Sequence, residues 1–431
     1  VSLDALSLVK RFFSSLSQRA VENIVLIVVA AVVYSLEMTT VPPKLHIFES
    51  WAKIQLDWIQ QGWPKLWEEY GRFGTNDTNA AVRCPFWILM IYSSLKVVGD
   101  EVLAFRIPSV FLTALTPVLL AEIVRRFFRK DMALLAGLAC LGHQHLMFYG
   151  RIAGYVAPTT TLITALMLCS MCVAWGNSRR AWIPLTLCFM LMPFFYSTVR
   201  YMCFMGVGII ALSFIRSSEF RRRHAIPALV SCCVFGLPFI YLLGPTPIHE
   251  LTLFFGARGE NYLVMDRVVQ GAAPQMSLVE RLVNLFTTTV PENFRNVPLN
   301  YWGGQRFFDW HYQGLYFYEH KVLTVMFVIG FITACVLSFR KPRYLLMIVW
   351  SLLAWVPLLF TTGITNNRMM SGVPADMFLV TLAAMLVIDL FTKVCGYRFR
   401  WVWYGAAGAA ACYLIYFSAY RLIVDCRLFC L

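Results

Sequence analysis

The stretch Leu103–Lys130, LAFRIPSVFLTALTPVLLAEIVRRFFRK, sets the architecture of this chain. An apolar run fills most of it, and four cations close it: Arg125, Arg126, Arg129 and Lys130. About 20 apolar residues in a helix cross the hydrocarbon of a bilayer. Basic residues gather on the cytoplasmic side of such crossings because they resist translocation. The same punctuation recurs along the chain. Arg179 and Arg180, then Arg216 and Arg221–Arg223, then Arg340, Lys341 and Arg343, then Lys393, Arg398 and Arg400 all sit where apolar runs end. Lys10, Arg11 and Arg19 precede the first run.

The apolar runs on either side of this stretch place crossings at 20–38, 106–127, 132–149, 156–175, 181–198, 199–215, 225–244, 321–339, 343–362, 372–394 and 401–422. The expected architecture is an all-α polytopic membrane protein of about 11 transmembrane helices. With the N-terminus inside, the five internal basic clusters all fall inside. Counting Pro85–Gly99 as a crossing would invert every later cluster. Its roughly 15 residues therefore read as an interfacial or re-entrant helix. The run Val21–Val33 has no small-residue cleavage pattern after it and reads as a crossing, not a signal peptide.

Composition agrees with this class. Hydrophobic residues make up 59% of the 431 and charged ones 14%, well below the roughly 25% of soluble domains. The net charge of +14 would suggest nucleic acid in a soluble chain, but here it lies in short inter-helix loops and sets orientation; no nucleic-acid partner is expected. Most of the cysteines lie in apolar runs, where they act as small hydrophobes.

Two long segments remain outside the spans. Thr39–Phe105 contains Trp51, Trp58, Trp63 and Trp67 among charges, as in juxtamembrane helices at headgroup level. Pro245–His320 is rich in aromatics, Gly and Asn. The chain thus divides into an N-terminal module over 1–244 that includes the outer loop 39–105, a second outer loop over 245–320, and a C-terminal four-helix membrane segment over 321–431. Both loops are expected to face outward: periplasm in a bacterium, lumen in a eukaryote.

Several stretches now become informative together. After the long first loop come "LAFRIPSVFLTALTPVLLAEIVRRFF" and "ALLAGLACLGHQHLMFYGRIAGYVAPTTTLITAL". "PPKLHIFESW" (Pro42–Trp51) precedes them, and "YSTVRYMCF" (Tyr196–Phe204) and "NNRMMSGVPADMFLVTLAAM" (Asn366–Met385) follow. Their order and spacing resemble the GT-C superfamily of membrane glycosyltransferases, in particular its bacterial protein O-mannosyltransferase and aminoarabinose-transferase-like branch of family 39 type. The resemblance covers nearly the whole chain. It implies a transferase in the bacterial inner membrane, N-terminus cytoplasmic, large loops periplasmic. The donor would be a polyprenyl-phosphate sugar, the acceptor a lipid, glycan or protein. No cofactor or metal is expected, and the expected partners are membrane lipid and the lipid-linked donor.

Glu49 is the candidate catalytic residue. Glycosyl transfer needs a carboxylate near the anomeric carbon to accept a proton or to orient the nucleophile. The competing reading is the solvated face of an amphipathic helix. Where the family has Asp-Glu, this chain has Phe48-Glu49. Glu37, at the outer end of the first span, is a second acid of lesser promise. His46, three residues before Glu49, shares its face on a helix. Arg151, Arg200 and Arg368 sit at outer span ends against the charge bias and are the candidate donor-phosphate ligands, since a guanidinium forks onto two phosphate oxygens. Snorkelling is the alternative for Arg151. Tyr155 and Tyr196 are candidate neighbours. In the second loop Trp302, Trp310 and His311 could contact a sugar, though aromatics also mark membrane interfaces. His143 and His145 are two apart, so they do not share a helical face.

The departures at Phe48 and at Ile152, where relatives carry a second acid, sustain an alternative from another class: a catalytically degenerate scaffold subunit of a membrane complex.

Overall fold

The computed structural model describes residues 17–40, 85–152, 156–192, 202–243, 321–359 and 370–429, with shorter pieces at 49, 53, 56–57, 60–62, 287–288, 291, 308–309 and 312–313. Helices dominate. In chain order they are α1 (Gln18–Ser35), α2 (Pro85–Val98), α3 (Glu101–Phe127), α4 (Ala133–Leu141), α5 (Gln144–Arg151), α6 (Val156–Ala174), α7 (Trp182–Leu191), α8 (Met202–Arg216), α9 (Ser218–Leu243), α10 (Lys321–Ser338), α11 (Arg343–Leu359), α12 (Val373–Cys395) and α13 (Arg400–Phe429). Between α9 and α10 a two-stranded antiparallel pair, β1 (Phe308–Asp309) and β2 (Tyr312–Gln313), aligns Phe308 with Gln313 and Asp309 with Tyr312.

Four described helical stretches are long and apolar enough to cross a membrane: Gln18–Ser35, Glu101–Phe127, Met370–Cys395 and Tyr397–Tyr420. Outer surfaces of these and of the shorter apolar helices carry apolar side chains. Val25, Val28 and Val32 are exposed on α1, and Val322, Val325, Val328, Ile332 and Val336 on α10, at the three- and four-residue spacing of a single helical face. Polar contacts lie inside instead: the hydroxyls of Thr116 on α3 and Thr161 on α6 meet at 2.7 Å, and both residues are buried. This is the arrangement lipid demands, apolar outward and hydrogen bonds between helices. The chain is an integral membrane protein.

Two features differ from the sequence expectation. The span over 132–149 is broken. α4 ends at Leu141, His143 takes an extended backbone (φ −71°, ψ 117°), and α5 starts at Gln144. The freed carbonyls are taken up by neighbours, Leu141 by the Tyr34 hydroxyl at 3.5 Å and Gly142 by the Ser418 hydroxyl at 2.8 Å. A break at membrane depth persists only when such partners satisfy the backbone. α13 is also longer than expected, at 30 residues. The segment 85–98 forms a 14-residue helix, as its length suggested. It turns into α3 through Gly99 (φ +76°) and Asp100, whose carboxylate accepts from the Leu103 amide at 2.8 Å. Trp87, Ile88 and Ile91 bury its inner face.

The basic clusters gather at one end of the bundle. Arg19 of α1 and Arg125 and Arg126 of α3 converge on Glu122. Arg126 also donates to the Cys172 sulfur at 3.4 Å, near the end of α6. Arg179 donates to the Arg223 carbonyl at 3.1 Å. The Arg343 guanidinium lies 5.9 Å from the centre of the Phe128 ring. Arg129 pairs with Asp389 at 2.5 Å, and Arg400 with Asp131 at 2.8 Å. Contacts therefore join members of these clusters through loops far apart in sequence.

Asp131 holds two of these loops together. It accepts from Arg129 at 2.8 Å, Arg400 at 2.8 Å and Tyr404 at 2.6 Å. Partial burial raises its carboxyl, but the hydrogen bonds from Arg129 and Tyr404 and the nearby guanidinium charges outweigh burial and bring it from 3.8 to about 2. A depressed carboxylate adds stability above the unfolded value and loses it as pH falls through the folded value. Thermal stability in detergent should therefore decline between about pH 4 and pH 2, and Asp131→Asn should flatten that decline. Its side chain is 37% exposed, so screening holds the effect to about 0.5–1 kcal/mol.

Candidate functional site

At the opposite end of the bundle, α3 turns a polar stripe inward. Arg106, Ser109, Thr113 and Thr116 recur at the spacing of one helical face, and all four are fully buried. Next to the apolar residues that surround them in sequence, these are costly positions in a membrane helix unless they are paired or used.

Each member of the stripe has an identifiable neighbour. Ser109 donates to the Tyr149 carbonyl of α5 at 3.4 Å. Thr113 packs against Gly150, where a β-carbon would stand 2.7 Å from the Thr113 methyl. Gly150 thus lets α5 close onto α3, one residue before Arg151. Arg106, one turn from Ser109, reaches Glu49. Its Nε donates to Oε1 at 2.7 Å and its Nη2 to Oε2 at 2.9 Å, while Nη1 donates to the Met38 carbonyl just beyond α1. Both Glu49 and Arg106 are 0% exposed. One turn on from Glu49, Lys53 pairs with Glu101 at 2.7 Å, and residues 49, 53, 56–57 and 60–61 are helical. Leu56, seven residues after Glu49 and on the same face, is buried as well. Two ion pairs therefore bind the first loop's helical segment to the head of α3.

Burial bears on two of the alternatives that the residue types left open. Glu49 does not lie on a solvated helix face; it is buried. Arg151 is 1% exposed, so it does not snorkel to the interface. It closes α5, where the carbonyl end of the helix favours a cation. The structure brings Glu49 and Arg151 to the same end, on elements that both pack on α3. Glu37 lies in the turn after α1 with φ +50° and accepts from its near neighbour Thr40. His46, Tyr155, Tyr196, Arg200, Trp302, Trp310, His311 and Arg368 lie outside the described residues.

Sequence reasoning passes over Arg106, although it lies in the very stretch that reveals the membrane class. The signal is there: it is a charged residue six positions into an apolar helix, followed by Ser109 and Thr113 on the same face. Asp376 is passed over too. It sits in the first turn of α12, is buried, and accepts from the Ser351 hydroxyl of α11 at 2.5 Å. The Trp350 indole beside it donates to the Ser371 carbonyl at 2.8 Å. His143 and His145 are both buried at the α4–α5 break, with ring centres 5.9 Å apart. Among the described residues no group of three His, Cys, Asp or Glu side chains is placed to hold a metal ion.

Residues 71–242 match the family model described as dolichyl-phosphate-mannose-protein mannosyltransferase. No curated protein matches the chain in sequence. Two solved structures share its fold. The apo oligosaccharyltransferase of Archaeoglobus fulgidus aligns with a TM-score of 0.53 and 13% identity, over 93% of this chain and 56% of that one. This chain thus spans little more than half of that enzyme's length. ArnT from Cupriavidus metallidurans, solved with bound undecaprenyl phosphate, aligns with a TM-score of 0.52 and 14% identity, over 94% of this chain and 72% of that one. The chain thus matches the mannosyltransferase family model over residues 71–242 and shares the fold of these two membrane transferases over nearly its whole length.

Proposed function

We propose that the protein transfers a sugar from a polyprenyl-phosphate donor to a lipid, glycan or protein acceptor at the outer face of the bacterial inner membrane. The single observation that carries this reading is the burial of Glu49 and Arg106, with Arg151, at the end of the bundle opposite the basic clusters. Charges sealed into that end of a membrane protein are costly to keep without a use. The similarity of the fold to ArnT bound to undecaprenyl phosphate supports the donor class.

In the proposed reaction the acceptor oxygen attacks the anomeric carbon, the bond from that carbon to the phosphate oxygen breaks, and polyprenyl phosphate leaves. Glu49 takes the acceptor's proton. Arg151 holds the departing phosphate, with Arg200 and Arg368 as further ligands. The orientation follows from the charge rule: the basic end faces the cytoplasm and the Glu49 end the periplasm.

A second reading keeps the fold without the chemistry. Both Glu49 oxygens are taken up by Arg106, which is also how a purely structural ion pair would look in a scaffold subunit. One experiment separates the two. Membranes carrying the protein are supplied with radiolabelled polyprenyl-phosphate sugars, and label in lipid, glycan and protein fractions is followed. Transfer that falls roughly 100-fold in Glu49→Gln, the scale of lost general-base catalysis, supports the enzyme. Absence of transfer from every donor offered, with the protein folded, favours the scaffold.

A further inference from the structure

The Glu49–Arg106 pair bears on how the proposed reaction begins. Both carboxylate oxygens are committed to one guanidinium fork, and the pair is sealed from solvent. A carboxylate held in this way directs both oxygens at the guanidinium, and it turns to an acceptor only when the fork opens. The pair is sealed from water, so a group that replaces the carboxylate on Arg106 is a direct means of opening it. Within the proposed reaction that group is the donor phosphate, because a guanidinium forks onto two phosphate oxygens with the geometry it uses for a carboxylate.

Three further observations fit such an exchange. Arg106 is anchored at its other edge by Nη1 on the Met38 carbonyl, so the guanidinium keeps its place while it changes partner. Lys53, one turn after Glu49, is tied separately to Glu101, so the helical segment stays docked when the fork opens. Ile107 and Phe111, next to Arg106 on α3 and four residues apart, are exposed. They put apolar surface on the outer side of α3 beside the turn that holds Arg106, where a polyprenyl chain would lie.

We propose that the Glu49–Arg106 pair is a donor-gated latch. The lipid phosphate takes over the Arg106 fork and releases Glu49, so the base becomes available only when donor is present. Arg106 is thereby a positioning residue for both the phosphate and the base. This inference rests on the proposed donor class, and the test keeps the two apart.

The full chain in lipid nanodiscs is exposed to dicyclohexylcarbodiimide, which modifies protonated carboxyls in apolar surroundings, and Glu49 labelling is read by peptide mass spectrometry. Binding of undecaprenyl phosphate is measured on the same sample by native mass spectrometry. Undecaprenyl phosphate should raise Glu49 labelling by about tenfold, the scale of a shifted two-state equilibrium, while the neutral alcohol undecaprenol should not. Arg106→Gln, which lacks the charged fork, should be labelled without any lipid. Binding of the lipid phosphate with no rise in labelling overturns the latch and leaves the donor class standing. No binding of the lipid phosphate overturns the donor class and the latch with it. An equal rise with undecaprenol overturns the phosphate exchange, since occupancy by the chain alone would then open the pair.

Discussion

Replacing Arg106 with Ala should destabilise the protein by about 3–5 kcal/mol, the cost of leaving a buried charge without its partner. Glu49 would lose both of its guanidinium hydrogen bonds in a place that solvent does not reach. The Met38 carbonyl would lose the Nη1 donor as well. The exposed pair Lys53–Glu101 is a control on the same two elements. Both of its side chains are about half exposed, so Lys53→Ala should cost no more than about 1 kcal/mol. Replacing both buried partners by apolar residues of similar volume, Glu49→Leu with Arg106→Met, should restore most of the loss, because desolvation of the pair offsets much of its attraction. The double variant should remain inactive in sugar transfer. Thermal unfolding in detergent reads the stability half of this prediction. A small effect of Arg106→Ala would mean that water enters this end of the bundle readily.

The second large effect is expected at Gly330→Ala. A β-carbon at this position on α10 would stand 1.8 Å from the Leu379 carbonyl oxygen of α12 and 2.6 Å from its carbonyl carbon. The obstacle is backbone, which cannot rotate away as a side chain does. Overpacking of this kind costs about 1–3 kcal/mol and more where backbone must move, so the upper end applies here. Small residues let membrane helices approach closely, and Gly330 does this for the α10–α12 contact. Gly405 and Gly408 on α13 provide the contrast, since a β-carbon at either meets nothing within 4 Å. Gly→Ala there should be neutral or stabilising by about 0.5–1 kcal/mol through helix propensity. Equal melting temperatures for Gly330→Ala and Gly408→Ala would overturn the assigned role of Gly330.

The membrane class and the one-sided basic clusters are legible in the order of residues. Both are local properties: an apolar run needs no partner to be long enough for a bilayer, and a cluster of Arg and Lys resists translocation whatever it later touches. The short helix at 85–98 is legible for the same reason, by its length. The break at Gly142–His143 is not. Its carbonyls are satisfied by Tyr34 and Ser418, residues more than a hundred positions away on either side, so the run 132–149 carries no local sign of ending.

The candidate site divides in the same way. Glu49 stands out as an acid beside the membrane, and Arg151 as a cation at an unexpected span end. Neither position reveals burial, because burial depends on what packs around a residue and not on its type. Arg106 draws no notice for a related reason: a single charge in a long apolar run has no visible partner until the first loop folds back onto α3. Residue order alone specifies a membrane protein of many helices, which of their ends share a side, and which family its motifs resemble. That Glu49 and Arg106 form one sealed pair is a property of the folded bundle, since two opposite charges 57 residues apart can compensate each other's desolvation only after the chain has brought them together.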